Sequence, residues 1–180
     1  YPVSVCPTCY YAAYQQDFME VPEQAREFLK GAESRRVATI RRIMDDLDFT
    51  QPRDLPEGTA SYYLATVSYE HFPKEFSPTF KQGVSCLRAA WLCSDLHRKR
   101  PNDNFDYLGQ VFYRKARFFY ARAVELEQTG HESLSAVHHL GPDLDKNYGY
   151  DGVLYLSGLL EYEHGPTKDP TKRKQALERA

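Results

Sequence analysis

Tyr107-Leu108-Gly109-Gln110-Val111-Phe112-Tyr113-Arg114-Lys115-Ala116-Arg117-Phe118-Phe119-Tyr120-Ala121-Arg122-Ala123-Val124-Glu125-Leu126 carries apolar residues at helical spacing, and its reading decides the fold. Leu108, Phe112, Ala116, Phe119, Ala123 and Leu126 form one face, while Tyr107, Val111, Phe118 and Tyr120 add apolar surface around the rest of the cylinder. A helix apolar on two sides has to lie between neighbours, because a single covering layer leaves the other side in water. Val153 to Tyr162 is apolar round nearly its whole circumference and makes the same demand. Stacked helical hairpins meet it simply.

Working outward, Leu87, Ala90 and Trp91 resemble the first helix of a tetratricopeptide unit, and Ala116, Tyr120 and Ala123 resemble the second. Small residues let two helices approach while an aromatic fills the gap beside them, so Trp91 is expected against Ala116, Phe119 or Tyr120. Leu154, Gly158 and Tyr162 begin a weaker match. Helix-length segments divided by Pro, Gly and Asn fall at about 60–72, 79–98, 105–129, 132–140, 152–164 and from 172 onward. From Pro22, the positions Ala25, Phe28, Leu29, Ala32, Ile40, Ile43, Met44 and Leu47 predict one long amphipathic helix, bent near Gly31. Asp48 to Thr59, with Pro52, Pro56 and Gly58, reads as a loop. Only residues 1–15 suit a strand or hairpin.

The predicted architecture is therefore all-α: a tetratricopeptide-like stack of antiparallel helical hairpins with a small N-terminal zinc-ribbon-like knuckle. An irregular helical bundle is the alternative. The expected units are a half zinc-ribbon-like knuckle at 1–20, a long helix and linker at 21–58, and the helical domain at 59–180.

Composition bounds the partners. Among 180 residues, 23 Lys and Arg against 25 Asp and Glu give a net charge near -2 and no basic field for a nucleic-acid backbone, so nucleic acid is not expected. No run is long and apolar enough for a transmembrane segment. The chain starts at Tyr1 without Met or a signal pattern, so the expectation is that the native start is missing; the compartment is open, with the cytoplasm preferred and export allowed for.

Cys6-Pro7-Thr8-Cys9 between short strands is half of a zinc-ribbon site, each such turn presenting two thiolates. Tetrahedral zinc needs two more ligands, which are expected upstream of this chain, or from a His. The turn usually has Gly after its second Cys, where φ is positive, and Tyr10 stands there instead. A redox reading of the same pair also exists. Cys86 and Cys93 read as small core residues, too far apart on one helix for a disulfide. Asp143, Asp145 and Asn147 have the spacing of calcium ligands, but Tyr148 replaces the required Gly and Leu154 the bidentate Glu, so calcium is not favoured. His138 and His139 read as ordinary surface or satisfied histidines, and the clusters Arg35-Arg36, Arg41-Arg42, Arg98-Lys99-Arg100 and Lys172-Arg173-Lys174 as solvated helix faces. No phosphate loop, His-Glu-x-x-His or nucleophile elbow occurs.

Cys6-Pro7-Thr8-Cys9-Tyr10-Tyr11-Ala12-Ala13 followed by Asp17-Phe18, then Leu87-Arg88-Ala89-Ala90-Trp91-Leu92, then Lys146-Asn147-Tyr148-Gly149-Tyr150-Asp151-Gly152 together resemble the bacterial domain-of-unknown-function family 2225. The resemblance implies a zinc-ribbon-like Cys-Pro-x-Cys-Gly segment joined to tetratricopeptide-like helices, a further Cys-Pro-x-Cys before this one, and no assigned enzymatic activity. The expected function is non-enzymatic: a protein-protein interaction module or assembly subunit that binds a protein partner or self-assembles. The alternative is a zinc-dependent or thiol redox enzyme using Cys6 and Cys9, with a zinc-ribbon nucleic-acid adaptor as a further rival. A stack this small cannot easily bury all fourteen Tyr, ten Phe and Trp91, so Tyr62, Tyr63, Tyr69, Tyr148 and Tyr150 are expected to supply the partner-binding surface, with at least two of them exposed.

Overall fold

Val3 and Val5 are β-branched and flank a serine, a pattern that suits a short strand with one sheltered face. β1 (Val3–Val5) runs antiparallel to β2 (Ala12–Tyr14), with Val3 opposite Tyr14 and Val5 opposite Ala12. The computed structural model describes residues 1–134, 149–166 and 169–179, and among them this pair is the whole of the sheet. The order continues α1 (Gln15–Phe18), α2 (Glu23–Gly31), α3 (Glu33–Ile43), α4 (Leu55–Tyr69), α5 (Pro78–Lys99), α6 (Phe105–Gln128), α7 (Gly149–His164) and α8 (Pro170–Arg179). The fold is mainly helical, as the periodicity predicts.

The long helix expected from Pro22 is divided into α2 and α3 at Ala32, whose φ of -92° and ψ of 2° interrupt the ladder one residue beyond Gly31. α4 begins inside the predicted loop. Asp54 and Glu57 form a capping box there and Pro56 sits in the first turn, where its missing N–H costs nothing. Of the helix expected at 132–140, Glu132, Ser133 and Leu134 are not helical, and the rest lies outside the described residues.

Helices α4, α5, α6 and α7 pack consecutively and antiparallel. Gln82 Nε2 donates to the Thr66 carbonyl at 3.0 Å between α5 and α4, while Arg117 meets Glu161 at 2.9 Å between α6 and α7. α5 and α6 approach closely at two glycines. A Cβ on Gly83 would lie 3.0 Å from the Tyr120 ring, and one on Gly109 would lie 3.3 Å from Cys93 Cβ. Since Gly109 faces Cys93 and Gly83 faces Tyr120, this register sets Trp91 near the level of Phe112, about two helical turns from Phe119 and Tyr120. Trp91 is 42% exposed, and the ring that meets Tyr120 is Phe80, at 5.6 Å.

The hairpin does not stand apart. Val3, Ala12, Ala13 and Tyr14 are buried in the same core as Leu64, Tyr69, Phe80 and Tyr120, so the boundary expected at residue 20 separates no second core. Asp17 Oδ2 accepts from Lys81 Nζ and from the Tyr69 hydroxyl, each at 2.5 Å, and Tyr69 Oη accepts from the Tyr14 N–H at 3.0 Å. That buried cluster joins β2 and α1 to α4 and α5. No helix among the described residues is long and apolar enough to cross a membrane.

Candidate functional site

Two features carry chemistry or contact potential: the cysteine turn of the hairpin and a groove crossed by α4. The turn is closed by hydrogen bonds from Tyr10 N–H to the Cys6 carbonyl at 2.9 Å and from Cys6 N–H to the Tyr11 carbonyl at 2.8 Å. Tyr10 takes φ +56°, the conformation for which Gly is usual, and its buried ring sits edge-on to Phe49 at 5.1 Å. Ring burial thus offsets the strain of a non-Gly residue at that angle. Both thiols are free and half-buried.

Their electrostatics differ. Burial pushes the Cys6 thiol up, but the backbone N–H groups of Cys9 and Thr8 and their side chains donate toward its sulfur and leave it below the ordinary thiol value. Burial dominates at Cys9 and raises it; the Tyr11 N–H lowers it, the Cys6 sulfur raises it further, and the Arg36 guanidinium draws it partly back. The first negative charge of the pair therefore sits on Cys6. Arg36 donates to the Cys9 carbonyl from Nε at 3.1 Å and Nη2 at 2.7 Å, and to the Leu29 carbonyl from Nη1 at 3.0 Å. It is buried, and its hydrogen bonds among the described residues all go to carbonyl oxygens.

The groove begins between α2–α3 and α4 as a cleft of about 700 Å³, walled by Phe28, Arg35, Thr39 and His71, with Arg36 below. Phe28 stacks on His71 at 5.3 Å. Tyr63 and Val67 of α4, with Glu70 at its C-cap, form the ridge between this cleft and a second of about 440 Å³ against Gln82, Phe112, Lys115 and Phe119. Lys115 and Phe119 then border a third, of about 320 Å³, with Val111, Arg114 and Phe118. The three share walls and form one surface. Burial raises the Tyr63 phenol and the Arg35 guanidinium across the cleft opposes that shift.

The five tyrosines expected on a contact surface divide. Tyr62 and Tyr69 are buried, at 4% and 1% exposure, because Tyr62 lies edge-on to Tyr1 and near Arg88 while the Tyr69 hydroxyl is bound by Asp17 and Tyr14. They cannot form an exposed patch, although the Tyr69 ring helps to line the second cleft. Tyr63 and Tyr150 are half-buried, and Tyr63 is on the groove ridge. Tyr148 lies outside the described residues, as do Asp143, Asp145, Asn147, His138 and His139. At most one of the five is thus strongly exposed. The exposed rings are others, including Phe28, Tyr107, Phe118, Tyr155 and Tyr162.

Arg36 is the residue that sequence reading missed, having been grouped with Arg35 as a solvated charge. The signal was present: Arg36 shares a helix face with Ile40, four residues on, and both are buried. Cys86 and Cys93 are free and buried, in keeping with core residues. No group of three or more His, Cys, Asp or Glu able to hold a metal occurs among the described residues.

Residues 1–179 match the family described as "Uncharacterized protein conserved in bacteria (DUF2225)". A protein of Borreliella burgdorferi, described as an uncharacterized protein, is 47% identical over 178 residues, covering 98% of this chain and 63% of its own length. The chain thus spans less than two thirds of that relative. No solved structure matches. With residues 1–179 matched, nearly the whole chain, this protein belongs to the bacterial DUF2225 family.

Proposed function

We propose that this chain is a protein-binding module or assembly subunit without catalysis of its own, built on tetratricopeptide-like helical hairpins, and that a polypeptide partner lies in the groove crossed by α4. The observation that carries this reading is the continuity of three clefts over one ridge, Tyr63, Val67 and Glu70, with aromatic walls on both sides. Consecutive antiparallel packing of α4 to α7 supports the tetratricopeptide-like part. Such stacks offer extended concave surfaces that hold a chain by contact area alone. The test is capture from lysate of the source bacterium with the full-length protein. A partner retained by the wild type and by Lys99→Glu, at the far end of α5, but lost with Val67→Glu supports the groove. Equal capture by Val67→Glu rejects it.

For Cys6 and Cys9 we propose a zinc half-site. The left-handed Tyr10 and the N–H groups directed at the sulfurs favour it, since they offset thiolate charge. Two donors fit only half of a tetrahedral set, so the remaining ligands would come from outside this chain. Thiol redox chemistry at the same pair is the competing assignment. Metal analysis and thiol titration of full-length protein separate them. Bound zinc with slow-reacting thiols supports the half-site, and a metal-free disulfide that opens with dithiothreitol supports redox cycling.

A further inference from the structure

The groove differs in charge from the molecule that carries it. The chain as a whole is near -2. Within the groove, Arg35, Arg114 and Lys115 are exposed and make no ion pair among the described residues, and Arg36 lies beneath with its hydrogen bonds there all to carbonyl oxygens. Of the carboxylates there, Glu27 is engaged by Lys30, which leaves Glu70 alone on the ridge. Three exposed cations and one buried cation therefore face a single uncompensated carboxylate.

The apolar walls are placed to take side chains as well. The two clefts flank the same helix, whose diameter with side chains is about 10 to 12 Å. Residues seven apart on an α-helix are separated by about 10.5 Å along its axis. Phe28 and Phe118, exposed by 63% and 61%, stand at opposite ends of the surface.

We propose that the occupant of this groove is an acidic amphipathic helix of another polypeptide, with apolar residues about one heptad apart entering the clefts beside Val67 and with Asp or Glu side chains meeting Arg35 and Lys115. The assignment rests on the docking function above and adds the chemistry of the partner. A polypeptide suits the site better than a nucleic acid, because phosphate backbones are held by many cations on a polar track, whereas here Phe28, Tyr63, Val67, Phe112 and Phe119 stand among the charged side chains of the wall. The net negative charge of the molecule would leave an acidic helix to be steered toward this face of opposite sign.

A displayed library of amphipathic peptides, with apolar positions fixed and flanking positions randomised among Asp, Glu, Lys, Arg, Ser and Gln, is panned on the full-length protein. Enrichment of Asp and Glu is expected, with affinity falling on the order of tenfold in Arg35→Glu/Lys115→Glu and with added salt. The same double variant should instead enrich Lys and Arg. Because both side chains are exposed, charge reversal is compatible with folding, and retained far-ultraviolet dichroism verifies it. Enrichment that ignores the double variant but is lost in Val67→Glu overturns the acidic assignment and leaves the docking function standing. Absence of any binder sensitive to Val67→Glu overturns both. A single-stranded oligonucleotide that binds more tightly than every enriched peptide, through Arg35 and Lys115, overturns the choice of a polypeptide.

Discussion

Arg36 illustrates how one side chain can join two distant pieces of backbone. Its three N–H donors hold the Cys9 carbonyl on the hairpin turn and the Leu29 carbonyl at the end of α2. Arg36→Ala strands both acceptors and should cost about 2 kcal/mol or more, judged by the usual penalty for buried unpaired polar groups. The same change removes a cation that lowers the Cys9 thiol, so the pH midpoint for alkylation of Cys9 should move upward. An unmoved midpoint in a folded variant would show that the guanidinium does not act on the sulfur. The buried thiols allow a second prediction. Burial pushes Cys86 up to about 11, against smaller opposing effects of the Thr66 hydroxyl and Lys115, and pushes Cys93 up to about 12, from an ordinary 9.0. A folded-state value above the unfolded one means that the folded chain holds its proton more tightly. The contribution is complete below pH 9 and is lost as pH rises through those values, with a slope of up to about 1.4 kcal/mol per pH unit for each thiol. Cys86→Ala should therefore lower stability at pH 7 yet show a shallower decline between pH 9 and 11 in denaturant titrations. Tyr69, also raised by burial, starts to weaken the fold above pH 10 in both proteins and cancels in the comparison. An identical decline with and without Cys86 would contradict the shift. Core placement of these cysteines was legible from their small size and helical context, whereas burial of Arg36 was not read because a paired Arg-Arg looks solvated.

Among the elements, α5 and α6 were legible almost to the residue: expected at 79–98 and 105–129, they span 78–99 and 105–128. Both are long, and their apolar period is strong enough to outweigh local ambiguity. Their partnership was legible as well, but the depth of approach was not, since it depends on Gly83 and Gly109 and those were not singled out. Gly83→Leu would drive a side chain into the Tyr120 ring, already only 3.0 Å from an added Cβ, and should destabilise by about 2 kcal/mol despite improved helix propensity. Wild-type thermal stability in that variant would mean that the crossing is looser than the geometry states. The cap of α5 was illegible for another reason. Ser77 enters the helix at φ +48° without a side-chain cap of its own, and Glu132 supplies one from 53 residues away by accepting from the Thr79 N–H at 2.9 Å and its hydroxyl at 2.7 Å. Caps at such separation leave no mark in a local window. Glu132→Ala should cost about 1 kcal/mol and increase amide exchange in the first turn of α5. Unaltered exchange there would show that Thr79 finds another acceptor.

At the scale of the molecule, the question is what makes a hairpin and a set of helices one body. The sequence separates them at residue 20 because the alternating pattern stops there, yet Asp17 reaches across 64 positions to Lys81 and shares its Oδ2 with Tyr69. Lys81 is 3% exposed and its ammonium also lies over the Tyr69 ring at 5.5 Å and the Phe76 ring at 5.8 Å. Burial lowers the Lys81 ammonium, and the opposing pull of the Asp17 hydrogen bond and of the Asp17 and Glu132 charges does not make up the difference. Desolvation therefore wins at the lysine, and the pair contributes position more than stability. Because its folded-state value is depressed, the effect on pH dependence is opposite in sign to that of the thiols: stability from Lys81 rises as pH climbs from the depressed value toward 10.5. Lys81→Met leaves Asp17 buried with Tyr69 as its remaining donor, and Asp17→Asn leaves the ammonium without its carboxylate, so each should cost about 3 kcal/mol or more. In Asp17→Asn/Lys81→Met neither member of the pair is charged, the Asn carbonyl still accepts from Tyr69, and most of that loss should return. A double variant whose destabilisation equals the sum of the two singles would show that Asp17 and Lys81 are not coupled. If the double variant is as stable as the wild type but hydrogen exchange in β1 and β2 accelerates selectively, the charge pair is what holds the cysteine turn in register with the wall of the groove.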